Sequence, residues 1–224
     1  MSAPATWRWG DPPEPLRRAL DEGAVIAIPT ESSYGLAVDP RRADAVSSVF
    51  RLKGRDAASP LPVVAASRDQ ITDLGGRFDE PVLERLAALW PAALSLRVPL
   101  RHDLPAAAGS GRLAVRVPAH ERLRELLESL GSALTATSAN RSGRPPILRP
   151  VELGELLSEA PGSVIVDDGE LPGGNPSTLA GVREGKLELL RVGAVPASAL
   201  ATCLDRAEGI FSAASVEILA DESR

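Results

Sequence analysis

Residues 24–36 read AVIAIPTESSYGL, and this stretch decides which class of fold the chain adopts. Its first half is a short apolar run closed by Pro29, which is typical of a buried central strand. Hydroxyl side chains follow at once, at Thr30, Ser32, Ser33 and Tyr34. Ligands of α/β proteins gather at the carboxyl ends of strands, so this junction is a candidate substrate site. A loop that only caps the next element is the alternative interpretation.

Helix and strand patterns alternate on both sides of this junction. Helices are predicted at 15–22, after Pro40 as far as Lys53, at 79–90 with Asp79 as the cap, at 123–130 and at 150–159. Strands are predicted at 24–28, 61–66, 93–98, 113–117, 133–137, 163–167, 178–182 and 187–192. Interleaved helices and strands predict an α/β fold with a single mixed sheet, because short turns join the closing strands.

The chain is predicted to divide into a globular domain at residues 1–194 and a helical tail at residues 195–224. In the tail, Ala199, Leu200, Cys203 and Ala207 have the spacing of a helix face that lies on the domain. We assign this tail no chemistry.

Composition excludes several classes of function. A net charge of −5 argues against a broad basic face for nucleic acid, which must neutralise many phosphates. One cysteine and two histidines exclude an intramolecular disulfide and argue against a metal site built from protein ligands alone. No apolar segment approaches the roughly 20 residues that span a bilayer, and the N-terminus lacks a signal-peptide core. We therefore expect a cytoplasmic protein without membrane contact.

Three further segments carry polar residues at the predicted ends of elements. The sequence KGRDAASPLP at 53–62 places Lys53 and Arg55 around a glycine, where cations also suit a helix C-terminus. The sequence TATSANRSGRPP at 135–146 leaves a strand at the same sheet edge as the first junction, if the two strands run parallel. Its Ser, Asn and Gly are also ordinary turn residues. The third segment is NPST at 175–178, followed by Arg191 on the next strand.

No glycine-rich phosphate loop, dinucleotide fingerprint or nucleophile-elbow motif is present in the sequence. A nucleotide would therefore be held by scattered Lys, Arg, Ser and Asn groups.

The order of the segments is more specific than any one of them. They are PTESSYGL, KGRDAASPLPVV, LWPAALSL, LAVRVPAH, TATSANRSG, VDDG, PSTLAG and LLRVG. In order and spacing, from about Gly23 to about Gly193, the chain resembles the YrdC-like threonylcarbamoyl-AMP synthase family. The resemblance implies a twisted mixed sheet with flanking helices around a large concave cavity.

The resemblance also implies an activity. Family members condense L-threonine, bicarbonate and ATP into threonylcarbamoyl-AMP and release pyrophosphate, and a downstream transferase moves the threonylcarbamoyl group to the tRNA adenosine beside the anticodon. The reaction needs positioning and charge stabilisation rather than a protein nucleophile. Mg²⁺ is expected with the triphosphate, bound mainly through phosphate oxygens and water. Direct contact with tRNA is left open.

Residue roles are carried over from the resemblance. Catalysis is assigned to Lys53 and Arg55. The ATP site is assigned to Lys53, Arg55, Ser59, Ser138, Asn140 and Arg191. The threonine site is assigned to Thr30, Ser32, Tyr34, Arg116 and Ser177. No residue is assigned to a metal.

Three departures from the family pattern fall within two of these motifs. Ser32 replaces a common Thr, Asp56 replaces a Pro beside the phosphate-binding cations, and Val64 stands where some members have His. An acid at position 56 weakens the case for ATP binding, so a non-catalytic module that holds a nucleotide or RNA remains the rival. A relative that uses carbamoyl phosphate is a third option, disfavoured because the chain shows no accompanying zinc-finger or acylphosphatase-like segment.

Overall fold

A computed structural model describes residues 3–54, 59–205 and the backbone of 216–217. The strands are β1 (Ala5–Arg8), β2 (Ile26–Pro29), β3 (Tyr34–Ala37), β4 (Val63–Val64), β5 (Leu94–Pro99), β6 (Arg112–Arg116), β7 (Leu134–Thr135), β8 (Thr137–Ser138), β9 (Val164–Asp167), β10 (Thr178–Arg183), β11 (Lys186–Arg191) and β12 (Val216–Glu217). The helices are α1 (Glu14–Asp21), α2 (Ala43–Lys53), α3 (Arg68–Asp73), α4 (Pro81–Ala87), α5 (Glu121–Leu130), α6 (Leu153–Leu157) and α7 (Ala197–Asp205). The α/β class is confirmed.

The strands form two sheets, so the prediction of a single sheet is wrong. A five-stranded sheet has the order β1-β9-β2-β3-β8, and a seven-stranded sheet has the order β12-β11-β10-β5-β6-β4-β7. The two sheets meet in the predicted strand 133–137, which is two short strands: β7 pairs with β4 and β8 pairs with β3. Thr135 bridges them, because its Oγ1 accepts a hydrogen bond from Val38 N at 3.0 Å. Ala136 is therefore the point where the chain changes sheets.

The direction of the strands brings the first and third polar segments to one edge. Both β2 and β8 run antiparallel to β3, so they are parallel to each other. Their carboxyl ends lie at the same edge of the five-stranded sheet, as the sequence predicted.

The core is built from aliphatic side chains of both sheets. Leu36 on β3, Leu96 on β5 and Leu83 on α4 are almost fully buried in one cluster. Each such leucine contributes roughly 1.5–3 kcal/mol relative to an exposed one. The rigid scaffold around the polar edge comes from this packing.

The end of α5 agrees with its local signal, whereas the predicted start of α4 needs a correction. Gly131 ends α5 with φ of 67°, a left-handed conformation that glycine adopts without strain. The predicted cap Asp79 does not cap α4, which begins at Pro81 with Glu80 before it and no capping side chain. Asp79 instead accepts a hydrogen bond from Arg77 Nε at 2.6 Å. Pro81 explains the difference, since it fixes φ and suits the first helical position.

The beginning of the predicted tail packs on the domain. Leu200 and Leu204 of α7 are buried in the main cluster, and Cys203 Sγ donates to the Arg85 carbonyl at 3.4 Å. Strand β12 pairs with β11. Ala207 lies outside the described residues, and the division at residue 194 stays a prediction. In the described part of the chain, no helix has both the length and the apolar character of a membrane span.

Candidate active site

Both sheets line one cavity of about 330 Å³, within the range of small-molecule sites. Most residues assigned to substrates line it, namely Thr30, Ser32, Tyr34, Arg116, Ser138, Ser177 and Arg191. The other lining residues are small, hydroxyl-bearing or apolar, and the described lining contains two arginines and no carboxylate. The cavity therefore has the electrostatic character of an anion site.

The turn between β2 and β3 uses one of its hydroxyls for its own structure. Thr30 Oγ1 donates to the Ser33 carbonyl at 2.7 Å, and the Thr30 N–H donates to the same oxygen at 3.1 Å. The capping interpretation thus holds for Thr30. By contrast, the hydroxyls of Ser32 and Ser33 make no hydrogen bond within the described ranges, so both are available to a ligand.

Tyr34 lines the cavity, and its hydroxyl is hydrogen-bonded to backbone groups. The side chain is fully buried, and its hydroxyl donates to the Gly169 carbonyl at 2.9 Å and accepts from the Asp168 N–H at 3.0 Å. Burial raises the pKa of Tyr34, and the bond from Asp168 partly opposes this. Tyr34 therefore fixes the VDDG turn. Its predicted contact with threonine stays a prediction.

Lys53 joins the end of α2 to the segment after β8. Its side chain is buried, and Nζ donates to the Ser138 carbonyl at 2.6 Å and to Asn140 Oδ1 at 2.8 Å. Ser138 Oγ donates to the same Asn140 oxygen at 2.7 Å. The three residues assigned to ATP in these two segments are thus neighbours. Lys53 and Asn140 lie beside Ser138 rather than in the described lining of the cavity.

Arg55 and Asp56 belong to the stretch 55–58, which lies outside the described residues. Their roles stay predictions from the sequence. Ser59 is half-buried and is not part of the described lining, whereas Pro60 and Pro62 are.

Arg116 reaches the cavity from the end of β6. The residue is only 9% exposed, and its Nη2 lies 3.1 Å from Glu31 Oε2. Its Nε is buried and has no hydrogen-bond partner among the described residues. A buried donor without a partner costs about 1–3 kcal/mol, which an oxygen ligand in the cavity would relieve.

Arg191 is the second cation. Its Nη2 donates to the Ser177 carbonyl at 2.8 Å and lies 3.2 Å from Ser177 Oγ. The residue as a whole is exposed, yet burial around its guanidinium lowers the pKa of Arg191, and the charge of Arg116 lowers it further. Arg191 forms no ion pair with any described residue. Two like charges thus face one cavity, an arrangement that an anion stabilises.

Sequence interpretation missed two residues of this site. Ser95 on β5 is 2% exposed, lines the cavity, and its Oγ lies 3.0 Å from Ser177 Oγ. Its position between leucines in LSLRVP was the available signal, because alternation places it on the opposite face from them. Glu31 stands within the hydroxyl-rich stretch, and its second oxygen accepts the Ala119 N–H at 2.8 Å.

No group of three or more His, Cys, Asp or Glu side chains suited to a metal occurs in the described part of the chain. The cavity lining offers neutral oxygens and cations, so any metal there would depend on the substrate for its charged ligands.

Comparison with known proteins identifies the family. A family model named Sua5_yciO_yrdC and described as "Telomere recombination" matches residues 18–193. The chain belongs to this Sua5/YciO/YrdC family. The YrdC-like resemblance seen in the sequence is therefore confirmed.

Two relatives within the family share a name. Threonylcarbamoyl-AMP synthase of Thiobacillus denitrificans is 37% identical over 175 residues, which cover 77% of this chain and 92% of that protein. Threonylcarbamoyl-AMP synthase of Bacillus subtilis is 33% identical over 181 residues, 79% of this chain but only 51% of that protein. The chain thus spans almost all of one relative and about half of the other.

Solved structures give the same result for the fold. The crystal structure of Pyrococcus abyssi Sua5 complexed with L-threonine aligns with a TM-score of 0.78 and 30% identity, covering 91% of this chain and 61% of that chain. E. coli YciO aligns with a TM-score of 0.72 at 19% identity, which supports the fold alone.

Proposed function

We propose that the chain synthesises threonylcarbamoyl-AMP from L-threonine, bicarbonate and ATP and releases pyrophosphate. Its relatives in Thiobacillus denitrificans and Bacillus subtilis carry the name of this activity. L-Threonine is the ligand of the related Pyrococcus abyssi Sua5. The observation that carries the proposal is the convergence of Arg116 and Arg191 on a hydroxyl-lined cavity without an acid in its described lining.

The site suits a reaction whose nucleophile belongs to the substrate. The amine of threonine joins the bicarbonate carbon with loss of water, which gives an N-carboxylate. An oxygen of this carboxylate then bonds to the α-phosphorus of ATP, and the bond from that phosphorus to the pyrophosphate oxygen breaks. The protein has to align two anions that repel each other, and closely spaced cations do this by screening the charge.

Each cationic group has a separate task in this scheme. Arg116 takes the carboxylate of threonine or the N-carboxylate, since its Nε has no hydrogen-bond partner among the described residues. Arg191 takes the phosphates of ATP. Lys53 and Arg55 complete the phosphate site, with Ser138, Asn140 and Ser59 on the nucleotide side, and Thr30, Ser32, Tyr34 and Ser177 surround threonine.

Mg²⁺ accompanies ATP in this proposal. It neutralises charge on the triphosphate, and phosphate oxygens and water supply its ligands. The product passes to a downstream threonylcarbamoyl transferase that modifies tRNA in the cytoplasm.

Pyrophosphate release tests the proposal. With ATP, Mg²⁺ and bicarbonate, release is expected only when threonine is added. Arg191→Ala should reduce it by about 10- to 100-fold, since a charged hydrogen bond to phosphate is lost. Arg183→Ala is the matched control, because Arg183 is exposed at the far end of β10. Nucleotide or RNA binding without threonine-dependent release would instead favour the non-catalytic rival.

A further inference from the structure

Ser95 belongs to a row of four side chains on neighbouring strands that line the cavity. Leu179 on β10 is in register with Arg191 on β11 and with Ser95 on β5. On the other side, β5 runs antiparallel to β6, and Leu96 pairs with Val115. Ser95, one residue before Leu96, therefore lies opposite Arg116, one residue after Val115. Residues in register project from the same face of a sheet, about 5 Å apart from strand to strand. All four residues of the row, Arg191, Leu179, Ser95 and Arg116, line the cavity.

Ser95 thus lies between the two arginines. It is one strand from Arg116 and two strands from Arg191. Ser95 Oγ lies 3.0 Å from Ser177 Oγ, which in turn lies 3.2 Å from Arg191 Nη2. A ligand group held by both arginines would therefore lie close to the Ser95 hydroxyl.

Hydrogen bonding leaves this position with a donor for a ligand. Ser95 Oγ and Ser177 Oγ are 3.0 Å apart, and Ser177 Oγ also accepts from Arg191. The two hydroxyls carry two protons, and their mutual bond uses one of them. No other acceptor for the second proton is found among the described residues. Whichever hydroxyl donates in the pair, one proton remains for an oxygen in the cavity.

We infer that Ser95 is a substrate-positioning residue, whose hydroxyl pair with Ser177 donates a hydrogen bond to the carboxylate-type group held between Arg116 and Arg191. This inference rests on the proposed function, in which the group is the N-carboxylate of threonine where it meets the α-phosphate. The hydroxyl pair aligns this oxygen and shares its charge with the arginines. Leu179, the apolar member of the row, keeps water from that side of the group.

Variants of Ser95 test this inference by kcat/KM for pyrophosphate release. Ser95→Ala should lower it by about 10- to 100-fold, the range for a hydrogen bond to a charged group. Ser95→Thr, which keeps the hydroxyl, should retain activity within about threefold. Ser163→Ala is the matched control, because Ser163 is also 2% exposed and its hydroxyl binds the Leu157 carbonyl at 3.3 Å, away from the cavity lining.

A double-mutant cycle separates positioning from a general effect on packing. If the two hydroxyls act as a pair, the Ser95→Ala and Ser177→Ala effects should not multiply in the double variant. Wild-type kcat/KM in Ser95→Ala, or effects that multiply fully, would overturn the inference.

A binding measurement distinguishes failure of this inference from failure of the proposed function. The thermal stabilisation of the full chain by L-threonine together with bicarbonate supplies the carboxylate group and needs no ATP and no turnover. It should be smaller in Ser95→Ala than in the wild type and in Ser163→Ala. If the wild type shows no threonine-dependent release, the proposed reaction fails, and equal stabilisation of all three proteins by L-threonine with bicarbonate would separately refute the role of Ser95.

Discussion

Glu31 and Arg116 form an ion pair beside the cavity, with Glu31 Oε2 and Arg116 Nη2 3.1 Å apart. Glu31 also accepts the Ala119 N–H, so the carboxylate is fixed to the backbone that follows β6. The pair therefore holds the Arg116 guanidinium in place while its Nε stays without a partner among the described residues. One of the two arginines in the described lining is thus anchored by a residue outside that lining.

Removing this anchor should weaken threonine binding more than ATP binding. Glu31→Gln keeps an oxygen for Ala119 but loses the charge that holds Arg116. Because both side chains are largely buried, we expect the KM for threonine to rise on the order of 10-fold. The KM for ATP should change less than about twofold, and steady-state kinetics with each substrate varied would measure both. Equal changes in the two KM values would contradict a role confined to Arg116.

Lys53 should contribute to stability as well as to ATP binding. Lys53→Met retains most of the apolar stem but leaves the Ser138 carbonyl and the Asn140 amide oxygen without this donor. We expect about 1–3 kcal/mol less free energy of unfolding and a higher KM for ATP. Urea unfolding checks the first effect and kinetics the second. Lys186→Met, at an exposed position on β11, should leave both quantities unchanged.

Position 56 gives a prediction from charge alone. Asp56 adjoins Arg55 and is three positions from Lys53 in the sequence, so we expect its carboxylate to oppose the attraction of this segment for phosphates. Asp56→Asn should lower the KM for ATP by about two- to threefold, and the gain should shrink as ionic strength rises. Arg55→Ala should abolish pyrophosphate release. A KM for ATP that is unchanged in Asp56→Asn at low salt would show that the departure from the family pattern is neutral.

The polar edge could be predicted from the sequence because each of its segments has a local pattern of polar residues directly after an apolar strand. Hydroxyls after β2 and the Ser-Ala-Asn segment after β8 follow apolar strands, and strand direction alone brought them together. Arg191 was less evident, since an arginine that alternates with apolar residues on a late strand usually faces solvent. Its place in the cavity depends on the register of β11 with β10, which no local pattern contains.

The errors have the same tertiary origin. The change of sheet at Ala136 follows from two pairings, with β4 and with β3, that lie far away in sequence. Ser95 was overlooked because a strand is recognised in a sequence by its apolar residues. The role of a polar residue in a strand depends on which side chains pack against it in the fold. Glu31 and Arg116 are 85 residues apart, so their pairing required the fold.

Tyr34 gives a prediction for alkaline pH that a single side chain reports. It is the one tyrosine of the chain, so the tyrosinate absorbance of the folded protein belongs to it alone. Burial raises its pKa above the usual value of about 10, so the folded state holds the proton longer than the unfolded state. The contribution of Tyr34 to stability is therefore fully present below pH 10 and is lost as pH rises through the folded-state pKa.

Two measurements check this. A spectroscopic titration of the folded protein should give a midpoint above that of the protein in denaturant. Tyr34→Phe should remove this part of the alkaline loss of stability and, near neutral pH, should cost about 1–3 kcal/mol because the Gly169 carbonyl and the Asp168 N–H lose their partner. A midpoint equal to that in denaturant would show that the hydroxyl is solvated. Such a result would return Tyr34 to the set of groups free to contact threonine directly.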